Sequence, residues 1–78
     1  MLLVGTPKAR KFKDEINGKT VNGVTFKVES VSGLNIILSH DTDDDNAKQI
    51  IKDYLKNNSD YSKLFNSVKK CDEKGNIY

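Results

Sequence analysis

The sequence predicts a small α+β protein. Its expected architecture is an antiparallel sheet of three or four strands, one main amphipathic helix (residues 43–57) packed on one face, and a short second helix. Three observations carry this. Val24, Phe26 and Val28 alternate with polar residues, the mark of a half-buried strand. Ala47, Ile50, Ile51, Tyr54 and Leu55 recur at helical spacing. Asn17-Gly18 and Asn22-Gly23 are hairpin-type turn signals, because both residue types tolerate positive φ.

Taken in order, residues 1–4 read as a short edge strand, and Gly5-Thr6-Pro7 as a break. Residues 10–16 place Phe12 and Ile16 four apart, which suits a helical turn as well as a strand. Lys19-Thr20-Val21 is long enough only for a very short strand. Strand 24–30 is followed by strand 34–39. A three-residue loop at Val31-Ser32-Gly33 pairs Val28 with Ile36 and Phe26 with Leu38, gathering the apolar side chains on one face with Gly33 at a left-handed turn position. Val31 and Ile37 are then left on the other face. Either the N-terminal segment covers them, or they form an apolar spot for a partner or a second copy.

Helix 43–57 is expected to start at Thr42, with Asp43, Asp44 and Asp45 at the positive end of its dipole. Tyr61, Leu64, Phe65 and Val68 continue helical spacing, so a second helix is expected at 60–66; residues 67–72 suit either a helical continuation or a late strand returning to the sheet. The tail Gly75-Asn76-Ile77-Tyr78 resembles the start of a strand that another chain could complete.

Composition bounds the function. The chain has 78 residues, of which Leu, Ile, Val and Phe supply 21, enough for one core and no second. Residues 1–78 are therefore expected to form a single domain, with 1–13 a basic segment free to be mobile. One cysteine, Cys71, rules out an intramolecular disulfide and favours a reducing cytoplasm. No apolar run approaches a signal peptide or a membrane span. The net charge of +2 hides an asymmetry: residues 1–39 carry +3 and residues 40–78 carry −1. Lysine outnumbers arginine twelve to one and asparagine occurs eight times, a usage that suits an A/T-rich coding sequence such as that of a phage or mobile element.

Chemistry-bearing clusters are few. Asp41, Asp43 and Asp45 match the first positions of a calcium loop, but Asn46 and Lys52 stand where such a loop needs Gly and Glu. Carboxylates at a helix N-terminus account for the run without an ion. His40, the only histidine, and Cys71 have no visible partners for a metal or a nucleophile. No cofactor, metal or catalytic residue is expected. Lys48, Lys52 and Lys56 form a solvated helix face. Lys8, Arg10, Lys11 and Lys13 surround Phe12 and are the candidate nucleic-acid contacts. Val31, Ile37, Asp43 and Asp44 are the candidate protein contacts. The expectation is a small non-enzymatic binding or modulator protein acting on a protein partner, homodimerisation through open sheet edges being an added option. The alternative is a module for RNA or single strands.

Overall fold

A computed structural model describes residues 1–78. It contains β1 (Leu2–Gly5), α1 (Ala9–Ile16), β2 (Thr20–Val21), β3 (Val24–Ser32), β4 (Asn35–His40), α2 (Asp44–Asn57) and β5 (Ser67–Lys70). The five strands form one sheet in the order β2-β3-β4-β1-β5, with every neighbouring pair antiparallel. With the two-residue β2 set aside, both the element order and the strand order are those of the split β-α-β-β-α-β plan. The sheet thus has one strand more than the upper expectation, because the very short Thr20–Val21 segment and β5 both join it. No helix is long and apolar enough to cross a membrane.

Alternation along the strands decides which residues enter the core. Leu2 and Val4, Ile36 and Leu38, Val24 and Phe26, and Val68 are buried on one face. Both helices cover that face. Ala9, Phe12 and Ile16 come from α1, and Ala47, Ile50, Ile51 and Leu55 from α2. Phe12 meets the rings of Tyr54 and Tyr61 edge-on, with centroids 6.1 and 5.8 Å apart. Such aromatic pairs add to what area burial alone contributes.

Several expectations are corrected. β1 is not an edge strand: it lies between β4 and β5 and pairs along its whole length with both. Residues 1–13, left free to be a mobile arm, carry this inner strand and the start of α1, with Leu2, Val4 and Phe12 fully buried.

The hairpin register differs from the expected one. Val28 pairs with Leu38, Ser32 pairs with Asn35, and the turn is Gly33-Leu34 with Gly33 at φ 60°. Positive φ at the first central residue is the glycine position of a II′ turn. A bulge between Val28 and Ser30 makes this register possible. One extra residue, Glu29, flips the parity of β3 beyond it. Val31 therefore comes beside Ile36 on the helix-facing side, not on the open face. It remains 44% exposed. Ser39 Oγ donates to the bulged Glu29 carboxylate at 2.7 Å.

Helix α2 is capped by Asp43 and not by Thr42. The Asp43 carboxylate accepts the Asn46 N–H at 2.7 Å, the usual reach from cap to third helical residue. Thr42 Oγ1 accepts from the Asn46 side-chain amide instead.

The expected helix at 60–66 is absent, and the segment is a series of turns. Asn66 supplies the reason. Its side-chain N–H groups donate to the carbonyls of Tyr61 at 2.8 Å and Leu64 at 3.2 Å, which a continuing helix would offer to later backbone N–H groups.

The tail is not left for another chain to complete. Ile77 bridges Cys71, and the Tyr78 N–H donates to the Lys70 carbonyl. The turn between them is organised by Asp72, whose Oδ1 accepts the N–H groups of Lys74 and Asn76, both at 2.9 Å.

Candidate functional site

Two places on this framework concentrate features that function could use. The first is polar, where the start of α2 meets both chain ends. Asp44 accepts from the Met1 ammonium at 3.0 Å, from His40 Nε2 at 2.7 Å and from the Tyr78 hydroxyl. These donors hold the Asp44 carboxyl well below its ordinary value, at about 2, with the Tyr78 bond the largest cause. Cys71 is buried nearby, and desolvation pushes its thiol up. His40 Nδ1 is buried with no hydrogen-bond partner.

None of the four surface clefts is lined by His40, Asp44 or Cys71. The His40 side chain is 6% exposed and Cys71 is fully buried, whereas Asp44 and Tyr78 keep part of their surface in solvent. No group of three or more His, Cys, Asp or Glu side chains is placed to hold a metal ion. Asp43 and Asp44, the acidic candidates for protein contact, both make bonds within the chain: one caps its own helix, and the other ties His40, Tyr78 and the amine together.

The second place is apolar and open. Phe65 is 98% exposed and Leu34 58% exposed, and the two line one shallow cleft of about 480 Å³ with Pro7 and Asn66. Three connections meet here: the β1–α1 loop, the β3–β4 turn and the α2–β5 loop. Local hydrogen bonds hold all three. The Thr6 N–H donates to the Leu34 carbonyl at 3.1 Å, which draws the hairpin tip against Pro7. Thr6 itself is buried, and its hydroxyl accepts the Lys8 N–H at 3.3 Å. On the far side, Asn66 clamps the turn from Tyr61 to Leu64. Tyr61 is fully buried and anchors to the core the turn that leads into exposed Phe65.

The sequence-predicted contacts fall out as follows. Phe12 is buried and unavailable for stacking. Lys11 is paired with Glu15 at 2.8 Å and with Asp60 at 3.2 Å, and Lys13 with Asp14 at 3.7 Å. Lys8 and Arg10 make no ion pair and line a groove along α1 with Lys11, Asp14 and Glu15. Val31 lies on the core-facing side of the sheet beside Ile36, away from Ile37, so the expected spot made of those two residues does not exist.

Ile37 stands on the open face beside Leu3 and is half-buried. The Asp72–Asn76 turn folds back over it, so that a Cβ at Gly75 would lie 3.2 Å from Ile37 Cδ1. That open face carries Leu3, Ile37, Lys27, Lys69 and small polar residues but no aromatic ring. RNA-binding sheets of this plan stack bases on rings at such positions.

Phe65 is the residue that sequence reasoning misplaced. Its helical spacing from Tyr61 and Leu64 assigned it to a helix face. The available signal was Asn66, a residue type that competes with helix by bonding nearby carbonyls.

Comparison of the chain with protein-family models, curated proteins and solved structures finds no match. The β-α-β-β-α-β plan hosts many unrelated activities, so function is argued from the site alone.

Proposed function

We propose that this chain is a small non-enzymatic binding protein whose working surface is the cleft at Phe65 and Leu34. The observation that carries the reading is a nearly fully exposed phenylalanine on a loop that hydrogen bonds hold in place. Burying such a ring against a partner is worth roughly 1.5–3 kcal/mol, whereas leaving it in water gains nothing for the fold. A fixed loop also avoids most of the ordering entropy that a mobile one loses on binding. Modulation of a host protein by a product of a phage or mobile element is the setting suggested by the chain's size and its Lys/Asn-heavy composition.

The second reading is binding of RNA or single strands. Lys8 and Arg10 favour it, being unpaired cations. Phe12, Lys11 and Lys13 weigh against it, since one is buried and the others are paired.

The test is affinity capture from nuclease-treated extract of the source cells, comparing the wild-type chain with the Leu34→Ser/Phe65→Ser variant. The reading expects one stoichiometric protein partner with the wild type and its loss with the variant. Equal capture by both forms would overturn it. Association abolished by nuclease would transfer support to the second reading.

A further inference from the structure

The cleft at Phe65 is flanked by two others. Through Pro7 it adjoins the groove bearing Lys8 and Arg10, and through Asn66 it adjoins a cleft bearing Lys52 and Lys56. All four cations lack an ion pair, unlike Lys11, Lys13 and Lys70. Neither the central cleft nor the Lys52–Lys56 cleft has an acidic residue in its lining. The only two acids in the set are Asp14 and Glu15 in the α1 groove, and both are already paired with lysines. The surface is thus an apolar centre between cationic clefts.

We infer that this surface takes an extended acidic segment of a partner protein, with one bulky apolar side chain in the Phe65–Leu34 cleft and flanking Asp or Glu residues on Lys8, Arg10, Lys52 and Lys56. The inference rests on the proposed function and names its partner class. Complementary charge at such a rim speeds association and suppresses wrong partners, while the apolar centre supplies most of the affinity.

A second copy is a poor occupant. The chain's own acidic run is engaged internally: Asp41 accepts the Thr25 N–H, Asp43 caps α2, Asp44 bonds His40 and Tyr78, and Asp45 pairs with Lys70. A single strand of nucleic acid fits less well. It gains from successive rings, and the central cleft offers Phe65 alone beside aliphatic Leu34 and Pro7.

The test uses the full chain, labelled with ¹⁵N and titrated with three synthetic peptides and an oligouridylate. The first peptide holds one tryptophan between Asp/Glu-rich flanks. In the second, serine replaces that tryptophan; in the third, Asn and Gln replace the acids. The inference expects the first peptide to bind best, with amide shifts at residues 6–11, 33–34 and 64–67. Phe65→Ser should weaken it by about tenfold or more. The pairs Lys8→Glu/Arg10→Glu and Lys52→Glu/Lys56→Glu should each weaken it by about tenfold. Equal binding of the uncharged peptide, preference for oligouridylate, or self-association in place of peptide binding would each overturn it. If the charge reversals have no effect while the Leu34→Ser/Phe65→Ser variant still loses its captured partner, the inference fails and the proposed function stands. If that variant keeps the partner, the proposed function fails. Far-ultraviolet circular dichroism of each variant, matching the wild type, establishes that these exposed substitutions leave the fold intact.

Discussion

Glu15 Oε2 accepts the Tyr61 hydroxyl at 2.9 Å, and through this bond the last turn of α1 holds the loop that carries Phe65. The same oxygen accepts from Tyr54 at 3.0 Å, and Lys11 pairs with the other carboxylate oxygen. Tyr61→Phe removes one of several bonds to Glu15 and should cost about 1 kcal/mol. Tyr61→Ala also empties a fully buried site and should cost about 3–5 kcal/mol. Urea denaturation of both variants measures the difference.

Acid should weaken the fold in a defined window. Asp44 lies at about 2 against its ordinary 3.8, and Glu15 and Asp72 are also depressed, chiefly by the Lys11 bond and the Asn76 N–H respectively. A carboxyl depressed in the folded state stabilises it above the unfolded value and loses that contribution as pH falls through the folded one. Stability should therefore be level above about pH 5 and decline from there toward pH 2. Asp44→Asn should flatten the most acidic part of that decline in a circular-dichroism titration. An unchanged profile would contradict the role given to Asp44.

Phe65 and Asn66 are neighbours with opposite expected behaviour. Phe65→Ser touches nothing in the folded chain and should change stability by no more than about 0.5 kcal/mol. Asn66→Ala removes the side-chain donor from the Leu64 carbonyl and one of the two donors from the Tyr61 carbonyl, which keeps the Leu64 N–H, and should cost about 1 kcal/mol. Thermal melts of the two variants decide this.

Gly5 is favoured by close side-chain contact and not by turn geometry. A Cβ there would lie 2.8 Å from Ser67 Oγ and 3.2 Å from Asn35 Oδ1. Gly5→Ala should cost about 1 kcal/mol as the Ser67 hydroxyl and the Asn35 side chain turn away to admit it. Adding Ser67→Ala, which deletes the nearer atom, should recover part of the loss in the same urea assay.

Cys71 should resist thiol reagents until the chain unfolds, since it is buried and its thiol is pushed up by desolvation. Modification by Ellman's reagent at neutral pH should follow the urea transition. Rapid reaction of the folded protein would contradict its burial.

Much of the fold was legible from periodicity. The alternation of Val24, Phe26 and Val28 and the spacing from Ala47 to Leu55 located β3 and α2, and the Asn-Gly pairs located the turns around β2. What failed was governed by single side chains or by tertiary pairing. The Glu29 bulge reversed the face assigned to Val31, because alternation presumes a ladder with no inserted residue. Asn66 broke a helix that the apolar spacing of Tyr61, Leu64 and Phe65 predicted. The inner position of β1 depended on β5, a short strand whose pairing leaves little local mark. Within the candidate site, Lys8 and Arg10 were visible as charges. Their adjacency to Phe65 was not, because three separate connections create it.

The most direct measurement is a hydrogen-exchange footprint of the complex formed with the captured partner. Added protection is expected only in the β1–α1 loop, the Gly33–Leu34 turn and residues 63–67. Protection centred instead on the open sheet face around Ile37, with Phe65 and Leu34 unchanged, would contradict it.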